Sequence, residues 1–397
     1  MKKWISFLLC FVLLSLLSFQ IFAANNEKEN PNLSELLTGA PEITAKSAVL
    51  YEGNTGTVLY EKNASEALAP ASVTKIMTLL LIAEALEEGR IHLNDTVIIS
   101  ENASSMGGSQ VFLKEGEQMS VEELLKCTVI ASANDASVAL AEHLAGSEEA
   151  FVNRMNEKAQ ELSLSGSYFE NTTGLDDTVV KHTMSAMDIA ILSAKLVQYD
   201  FITKYSSLWQ DSIRDGAFTL TNTNRLVRYY EGCNGLKTGS TDKAGYCVSV
   251  SAKRNSLNLI CVIMGAQTKE IRNDEARSLL DFGFSSVSLY HSPEILLEQI
   301  PVLKSNKEYI WVKEEAFSYL CEKGKANKIE KVYEIPEVCT APISVGDTVG
   351  TVKYYLNEIS IGECKILAEE NAKHLTYTEM IKLIISSFFP VKKDVEK

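Results

Sequence analysis

The sequence is poor in the residues that mark metalloenzymes and nucleic-acid-binding proteins. Only 5 histidines occur among 397 residues, and none forms the His-Glu-x-x-His pattern of zinc hydrolases. We therefore expect neither a metal nor another cofactor. Basic residues are also in deficit, since 38 Lys and Arg stand against 52 Asp and Glu, for a net charge of −14. Because a nucleic-acid backbone requires a positive surface, this balance argues against a nucleic-acid partner.

A cysteine framework is absent as well. No Cys-x-x-Cys pair occurs, and the eight cysteines are widely spread, which favours small buried apolar residues over disulfides. They are Cys10, Cys127, Cys233, Cys247, Cys261, Cys321, Cys339 and Cys364. The hydrophobic fraction of 46% is ordinary, so a chain of this length can bury a core without metals or disulfides.

The one long apolar run lies at the N-terminus. Two lysines precede residues 4–22, and the run ends at Ala23-Ala24 before the charge-rich segment 25–30. This pattern is typical of a secretory signal peptide over residues 1–24, and it predicts export to the outer face of the cytoplasmic membrane or secretion. An uncleaved N-terminal anchor stays open, because the run is nearly long enough to span a bilayer.

The order of helical and strand patterns predicts the first domain. After a polar linker at 25–40, the runs Ala48–Tyr51 and Thr57–Tyr60 flank a turn and predict a hairpin. Helical patterns follow at 73–88, 121–131, 135–145, 151–163 and 185–198, strands at 235–238, 245–252 and 257–265, and a helix at 272–282. Strands thus enclose a helical middle. We expect one antiparallel sheet, completed by N- and C-terminal strands and covered by helices, over residues 41–290.

The chain changes character after Pro293. Short strand patterns at 309–313, 329–334, 348–356 and 363–367 predict a small β-rich domain at 296–370. The tail at 376–393 then alternates apolar and polar residues at helical spacing. It is too short to span a bilayer, so we expect an amphipathic helix in the membrane interface, with a helix packed on the protein's own surface as the alternative.

The first candidate for chemistry is Ser72-Val-Thr-Lys75, at the start of a predicted helix. Positions i and i+3 share a helical face, so Lys75 can reach the Ser72 hydroxyl and act as the base that a serine nucleophile requires. Alone the motif is weak, because Ser240-Thr-Asp-Lys243 also matches it. An N-cap serine followed by a surface lysine would give the same pattern.

Two further motifs strengthen this hypothesis. Ser132-Ala-Asn134 lies between two predicted helices, where its hydroxyl and amide could relay a proton and hold a substrate amide; Ser256-Leu-Asn258 matches the same spacing. Lys237-Thr-Gly239 occurs once, on a predicted strand, and offers a charge, a hydroxyl and a close backbone approach.

The ordered set Ser-x-x-Lys, Ser-x-Asn and Lys-Thr-Gly resembles the triplet of the penicillin-binding proteins and serine β-lactamases. The stretch Gly235–Tyr246 closely resembles the D-alanyl-D-alanine carboxypeptidases, the low-molecular-weight penicillin-binding proteins. So do Leu113–Gly116, Ser132–Ala136 and Asn171–Leu175. The likeness covers roughly residues 41–368. It implies an α/β (α+β) sandwich with a five-stranded antiparallel sheet, followed by a small all-β domain and an amphipathic anchor helix.

The resemblance also implies a mechanism, in which Ser72 is acylated by the penultimate D-alanine and terminal D-alanine leaves. Lys75 is then the base, while Ser132 and Asn134 move the proton and position the peptide. The backbone N–H groups of Ser72 and Ser240 would form the oxyanion hole. The implied substrate-binding residues are Lys237, Thr238, Gly239, Ser240 and Arg272, with Arg272 at the family position for the terminal carboxylate. The implied partners are a peptidoglycan pentapeptide and, as covalent inhibitors, β-lactams.

The sequence departs from the family pattern at two places, and three rival functions have to be weighed. Ser240 stands where the family often has His or Tyr, and the run His182–Ser185 differs from the family's usual one, so His182 receives no role. A class A β-lactamase is disfavoured, because no Glu-x-x-Leu-Asn motif occurs between Asn134 and Lys237. A D,D-endopeptidase stays open, whereas the presence of all three motifs disfavours a non-catalytic wall-binding protein.

Overall fold

The computed structural model describes residues 37–177 and 179–388. The expected signal peptide, the linker as far as residue 36 and the tail beyond Phe388 lie outside these residues.

The expected sheet is present, and its strands come from the two ends of the segment 47–266. The strand order is β2-β1-β9-β8-β7, with every neighbouring pair antiparallel. The strands are β1 Ser47–Glu52, β2 Thr57–Lys62, β7 Cys233–Thr241, β8 Gly245–Arg254 and β9 Leu257–Ala266. The early hairpin therefore pairs with the last strand, as the enclosed helical middle predicts.

Both faces of this sheet are buried. On β1, Val49 faces one hydrophobic cluster, whereas Ala48 and Leu50 face another. Because side chains alternate between the faces of a strand, a strand covered on both sides buries nearly every position. The central strands are largely apolar for this reason, and the polar residues Ser47, Glu52, Ser249 and Ser251 on them are buried as well.

The helices of this region follow in chain order. They are α1 Lys75–Glu87, α2 Glu101–Ser104, α3 Val121–Ile130, α4 Asn134–Ala145, α5 Glu148–Glu161, α6 Ala186–Leu196, α7 Asp200–Ser206, α8 Leu226–Tyr229 and α9 Lys269–Ser286. Nearly every residue of α1 is buried, so it is a core helix. It ends before Gly89, whose φ of +69° is the left-handed conformation that commonly stops a helix.

Four short strands form two hairpin-like additions around the helices. These are β3 Thr96–Ile98 with β4 Gln118–Ser120, and β5 Gln210–Ile213 with β6 Phe218–Thr221. The Ser120 hydroxyl and the Glu123 carboxylate form a capping box that fixes the start of α3 directly after β4. None of these four strands was predicted from the sequence.

The expected β-rich region follows α9. Its strands are β10 Val287–Ser292, β11 Ile295–Leu296, β12 Ile300–Leu303, β13 Tyr309–Ile310, β14 Val312–Glu314, β15 Phe317–Glu322, β16 Ile329–Glu334, β17 Cys339–Thr340, β18 Thr348–Leu356 and β19 Ile359–Ala368. The main sheet has the order β11-β14-β19-β18-β16. It has its own core, in which Val352, Tyr354 and Ile366 are buried. The predicted strand at 309–313 is wrong as a single strand, because it divides into β13 and β14.

The last described helix is α10, Tyr377–Phe388. Tyr377, Met380, Ile381, Ile384 and Ile385 on it are exposed. Among the described residues, no helix has the length and apolar content needed to cross a membrane.

Candidate active site

The Ser72 side chain lies on a tight turn at the entrance of the core helix. Residues Ala71–Thr74 form a 3₁₀ helix that leads directly into α1, so the sequence placed the start of the α-helix two residues too early. Ala71 has φ +48°, a left-handed conformation that is uncommon for a residue with a Cβ. Lys75 is the first residue of α1, and its Nζ lies 3.0 Å from Ser72 Oγ. The expected contact between these side chains is present.

The Lys75 amine is buried among neutral oxygens. Its Nζ lies 2.6 Å from Asn134 Oδ1 and 2.9 Å from the Thr173 carbonyl oxygen, in addition to Ser72 Oγ. Burial, followed by the positive charge of Lys237, lowers the pKa of Lys75 well below its ordinary value, and the carboxylate of Asp135 opposes this only in part. The surroundings therefore favour an uncharged amine.

The Ser132-Ala-Asn134 motif joins α3 to α4. Ser132 has φ +62°, a strained left-handed conformation, and Asn134 is the first residue of α4. The Asn134 amide spans the site, because its Oδ1 accepts from Lys75 while its Nδ2 donates to the Gly107 carbonyl at 2.6 Å. Ser132 Oγ contacts the third motif, because it lies 2.8 Å from Lys237 Nζ.

The Lys-Thr-Gly motif lies on the edge strand β7. Lys237 is buried, and burial together with the nearby charge of Arg272 lowers the pKa of Lys237 to about 7. The Thr238 hydroxyl donates to the Thr223 hydroxyl at 2.8 Å. The strand thus presents the Thr238 hydroxyl to the same cleft as Ser72, and the buried Lys237 amine is hydrogen-bonded to Ser132, which also lines that cleft.

Gly239 lets β7 approach the turn that carries Ser72. A Cβ at this position would lie 2.8 Å from the Ser72 backbone nitrogen and 2.9 Å from the Pro70 carbonyl oxygen. Real Cβ atoms require more room, so only glycine fits here. Ser240 follows on the same strand and is exposed to the cleft.

These side chains meet in a cavity of about 470 Å³. Its lining includes Ser72, Ser132, Thr238 and Ser240 together with Arg225, Lys269, Glu270 and Arg272. Arg272 lies near the start of α9, and its side chain is buried. Burial lowers the pKa of Arg272 to about 10, so its guanidinium remains charged at neutral pH. The cavity therefore joins the Ser72 hydroxyl to a positively charged wall.

The duplicate motifs lie elsewhere or face apart. Ser240 lies within β7 and Lys243 is an exposed residue of the turn that follows, so they lack the helical geometry of Ser72 and Lys75. Ser256 and Asn258 flank the start of β9, where the Ser256 carbonyl accepts from Asn54. Helical setting, more than spacing, separates the catalytic-type motifs from their copies.

Several lining residues were not found from the sequence. Ser109, Trp209, Thr221, Asn222, Thr223 and Arg225 belong to loops and to the β5–β6 hairpin. The Thr173 contact is a backbone carbonyl, which no side-chain pattern can indicate. The quoted resemblance of Asn171–Leu175 was the only available signal for that loop.

The described cysteines form no part of this chemistry. Cys127, Cys233, Cys247, Cys261 and Cys321 are free and buried, and Cys339 and Cys364 are free and partly buried. Burial raises the pKa of the Cys233 thiol to about 11, so this thiol is unreactive.

Comparison with known proteins agrees with this geometry over nearly the whole chain. Residues 35–268 match the family model of the D-alanyl-D-alanine carboxypeptidases, and residues 284–374 match the C-terminal domain of penicillin-binding protein 5. D-alanyl-D-alanine carboxypeptidase DacF of Bacillus subtilis is 41% identical over 389 residues, which cover 96% of this chain and 97% of that protein.

Solved structures give the same result. Penicillin-binding protein 5 of Haemophilus influenzae is 30% identical with a TM-score of 0.71, and the match covers 85% of this chain and 99% of that one. Penicillin-binding protein D2 of Listeria monocytogenes, in its ampicillin-bound form, is 29% identical with a TM-score of 0.57, covering 62% of this chain and 99% of that one. The expected fold class is confirmed, and the chain belongs to the D-alanyl-D-alanine carboxypeptidase family of serine-type hydrolases.

Proposed function

We propose that this carboxypeptidase removes the terminal D-alanine of peptidoglycan pentapeptide stems through an acyl-enzyme on Ser72. The observation that carries this proposal is the Lys75 amine, which is buried, depressed in pKa and 3.0 Å from the Ser72 hydroxyl. A hydroxyl requires such a base to become a nucleophile near neutral pH.

The hydrogen bonds around Lys75 fit a neutral amine. Such an amine has two N–H donors and one lone pair. Asn134 Oδ1 and the Thr173 carbonyl can only accept, so they take the two N–H groups. The lone pair then points to Ser72, whose O–H donates to it. Attack of Ser72 Oγ on the penultimate D-alanine carbonyl would transfer this proton to Lys75.

The leaving D-alanine nitrogen also needs a proton. Ser132 Oγ is the hydroxyl placed to deliver it, because it lines the cavity and is hydrogen-bonded to Lys237 Nζ, which can replace the proton. The bond broken is the peptide bond between the two D-alanines, and an ester on Ser72 remains. Water then hydrolyses this ester and regenerates the Ser72 hydroxyl.

The negative charge of the tetrahedral intermediate requires hydrogen-bond donors. The backbone N–H groups of Ser72 and Ser240 are the proposed pair, and the close approach of Gly239 to the Ser72 nitrogen supports it. One donor of this type is typically worth roughly 3–4 kcal/mol of activation free energy.

The positive wall selects a free C-terminus. Arg272 stays charged at neutral pH and lines the same cavity as Ser72 and Thr238, while the buried Lys237 is near enough to Arg272 to feel its charge. A substrate carboxylate would form charge-assisted hydrogen bonds there. This favours carboxypeptidase over endopeptidase activity.

The same nucleophile would be acylated by β-lactams, and hydrolysis of that adduct would be slow. A β-lactamase activates its deacylating water with a dedicated carboxylate. In the loop before His182, Glu170 instead accepts from the backbone N–H groups of Val180 and Lys181, both at 2.8 Å. The acidic residue that does line the cavity, Glu270, lies on the α9 side.

The test is the Ser72→Ala variant of the purified protein. It should lose labelling by fluorescent penicillin and release of D-alanine from a muropeptide pentapeptide, with unchanged thermal unfolding. Ser256→Ala, at the exposed duplicate motif, is the matched control and should retain both. Persistent labelling of Ser72→Ala would refute the nucleophile, and faster cleavage of cross-linked muropeptides than D-alanine release would refute the substrate preference.

We also propose the division of the chain and its location. Residues 1–24 are a signal peptide, 41–290 the peptidase domain and 296–370 a separate β-rich domain. The separate hydrophobic core of the β-rich region supports that division. Export follows from the signal peptide, and α10 then holds the enzyme to the outer face of the cytoplasmic membrane through its exposed apolar side chains.

The membrane proposal is tested by co-sedimentation with phosphatidylglycerol–phosphatidylethanolamine vesicles. The full-length mature chain should pellet with them, whereas a chain truncated after Leu375 should not. An Ile381→Gln/Ile385→Gln variant keeps the helix length but removes apolar contact, so it should also stay in solution. Equal pelleting of all three would place the anchor elsewhere.

A further inference from the structure

One buried histidine adjoins the active site without lining its cavity. His182 lies after the 171–177 loop and is 3% exposed. Its Nε2 lies 2.8 Å from Thr74 Oγ1, and the Glu170 backbone N–H donates to its Nδ1 at 3.1 Å. The imidazole thus connects a surface loop to the turn that carries Ser72.

The hydrogen bonds determine which atom donates and which accepts at each step between His182 and the Ser72 turn. Because Nδ1 accepts from the Glu170 N–H, it carries no proton, so the proton of the neutral ring is on Nε2. The Thr74 hydroxyl donates to the Ala71 carbonyl at 2.8 Å, and therefore accepts from His182 Nε2–H. Burial lowers the pKa of His182 to about 4, which keeps the ring neutral at physiological pH.

The end of this chain is the peptide group that contains the Ser72 N–H. The Ala71 carbonyl and the Ser72 N–H belong to one planar unit, so fixing the carbonyl also fixes the direction of the N–H. Ala71 has φ +48°, a conformation that persists only where the surroundings hold it. A hydrogen bond to the carbonyl also polarises the peptide group and strengthens its N–H as a donor.

The loop before His182 closes over the same carbonyl. A Cβ on Gly174 would lie 1.8 Å from the Ala71 oxygen and 2.6 Å from Thr74 Oγ1. The carbonyl is therefore covered by protein on the side where water would otherwise approach it, and its orientation depends on internal donors.

We propose that His182 is a positioning residue of the oxyanion hole, acting through the Thr74 hydroxyl on the Ala71–Ser72 peptide group. The inference rests on the proposed acyl-enzyme at Ser72. It assigns a task to a residue that touches neither substrate nor the reacting atoms.

The variants separate this task from packing. In His182→Asn the shorter side chain can still accept from the Glu170 N–H but cannot reach Thr74, whereas His182→Gln can donate to Thr74 from its amide. Thr74→Val removes the hydroxyl at nearly constant volume, and Thr74→Ser restores it. The matched control is Thr78→Val, which removes the buried hydroxyl that donates to the Thr172 carbonyl from the same helix.

Two measurements apply to each purified variant: the rate of acylation by a fluorescent penicillin, and the infrared stretching frequency of the acyl-enzyme ester carbonyl. His182→Asn and Thr74→Val should each acylate roughly 10- to 100-fold more slowly, a part of the loss caused by deleting a donor outright. Their carbonyl frequency should rise, because weaker hydrogen bonds polarise the carbonyl less. His182→Gln and Thr74→Ser should recover most of the rate, and Thr78→Val should keep both the rate and the frequency.

The double variant decides whether the two residues act in series. His182→Asn/Thr74→Val should be no slower than the slower single variant, since both interrupt one chain. Additive losses, or slow acylation with an unchanged carbonyl frequency, would overturn the inference. Such results would leave the proposed function intact, because only labelling of Ser72→Ala can refute the nucleophile.

Discussion

Two regions of the molecule hold a lysine amine away from water, and they do so with opposite electrostatics. In the peptidase region, Lys75 and Lys237 are hydrogen-bonded to hydroxyl, amide and carbonyl oxygens. In the β-rich region, Lys331 lies 2.7 Å from the carboxylate of Glu314, which is fully buried and also accepts from Tyr333.

The pKa values of the lysines in the two regions shift in opposite directions. Burial lowers the pKa of both peptidase lysines. Burial is the largest single influence on Lys331 and acts to lower its pKa, but the hydrogen bond to Glu314 and the charge of that carboxylate together outweigh burial, so the net pKa is raised. A carboxylate partner therefore fixes the charge of a lysine, whereas neutral oxygens leave the amine able to exchange a proton.

The two lysine environments show what distinguishes a lysine that can act as a base from one that serves as a structural cation. Burial alone does not distinguish the two kinds of lysine, since both regions exclude water from a charged group. The identity of the acceptors distinguishes them, because an amine must lose its proton to act as a base.

The largest expected effect comes from Lys75→Met. Acylation by penicillin should fall at least about 10³-fold, within the range that a general base contributes. Thermal unfolding should be unchanged or occur at higher temperature, because an apolar side chain removes a buried amine that no carboxylate neutralises. A strongly destabilised variant would show that Lys75 is a structural ion, contrary to the distinction drawn between the two regions.

The intermediate effect comes from Lys331→Met, which leaves Glu314 without its cation. Removing one partner of a fully buried pair costs roughly 3–5 kcal/mol, and the partial exposure of Lys331 reduces this to about 2 kcal/mol. Denaturant unfolding measures the loss, while D-alanine release should stay at the parent rate. Lys331→Met/Glu314→Gln should recover part of the stability, and no recovery would mean that packing, not charge, held the pair.

The smallest effect is a shift in pH dependence. The charge of Lys237 contributes to the lowered pKa of Lys75, so Lys237→Gln should raise the pKa of Lys75. Because acylation requires the neutral amine, the acidic limb of the rate profile should move to higher pH. A shift of about 1 pH unit, equivalent to about 1.4 kcal/mol, is the expected size.

The acylation rate with penicillin between pH 5 and 10 measures this limb. Asp135 acts on Lys75 in the opposite sense, so Asp135→Asn should move the limb to lower pH and provides the control. Movement of both variants in the same direction would contradict the electrostatic account.

Much of the fold could be predicted because its signals are local or periodic. The β1–β2 hairpin, α1 and the strand patterns of β7, β8 and β9 follow from turn residues and apolar runs. The β5–β6 hairpin was missed, since its strands have four residues each and pair only with one another. Short strands such as β12 and β17 have too few residues to show alternation, and their pairing comes from segments far apart in the chain.

The features of the proposed active site likewise divide into those that the sequence could predict and those that it could not. The contact between Ser72 and Lys75 follows from helical spacing, and the motif order predicted that Ser132, Asn134 and Lys237 would share a cleft. The role argued for His182 could not be predicted, because its bond to Thr74 joins residues on separate elements with no common pattern.

The sequence by itself determined the family and indicated the proposed nucleophile and base, because these depend on residue identity at short spacing. Only the tertiary structure decided that the Lys75 amine has a lowered pKa, as the proposed base requires. Its lowered pKa arises from burial in the core and from Lys237 on a remote strand, and neither is a property of the four residues from Ser72 to Lys75. Desolvation and long-range charge exist only once the chain has folded.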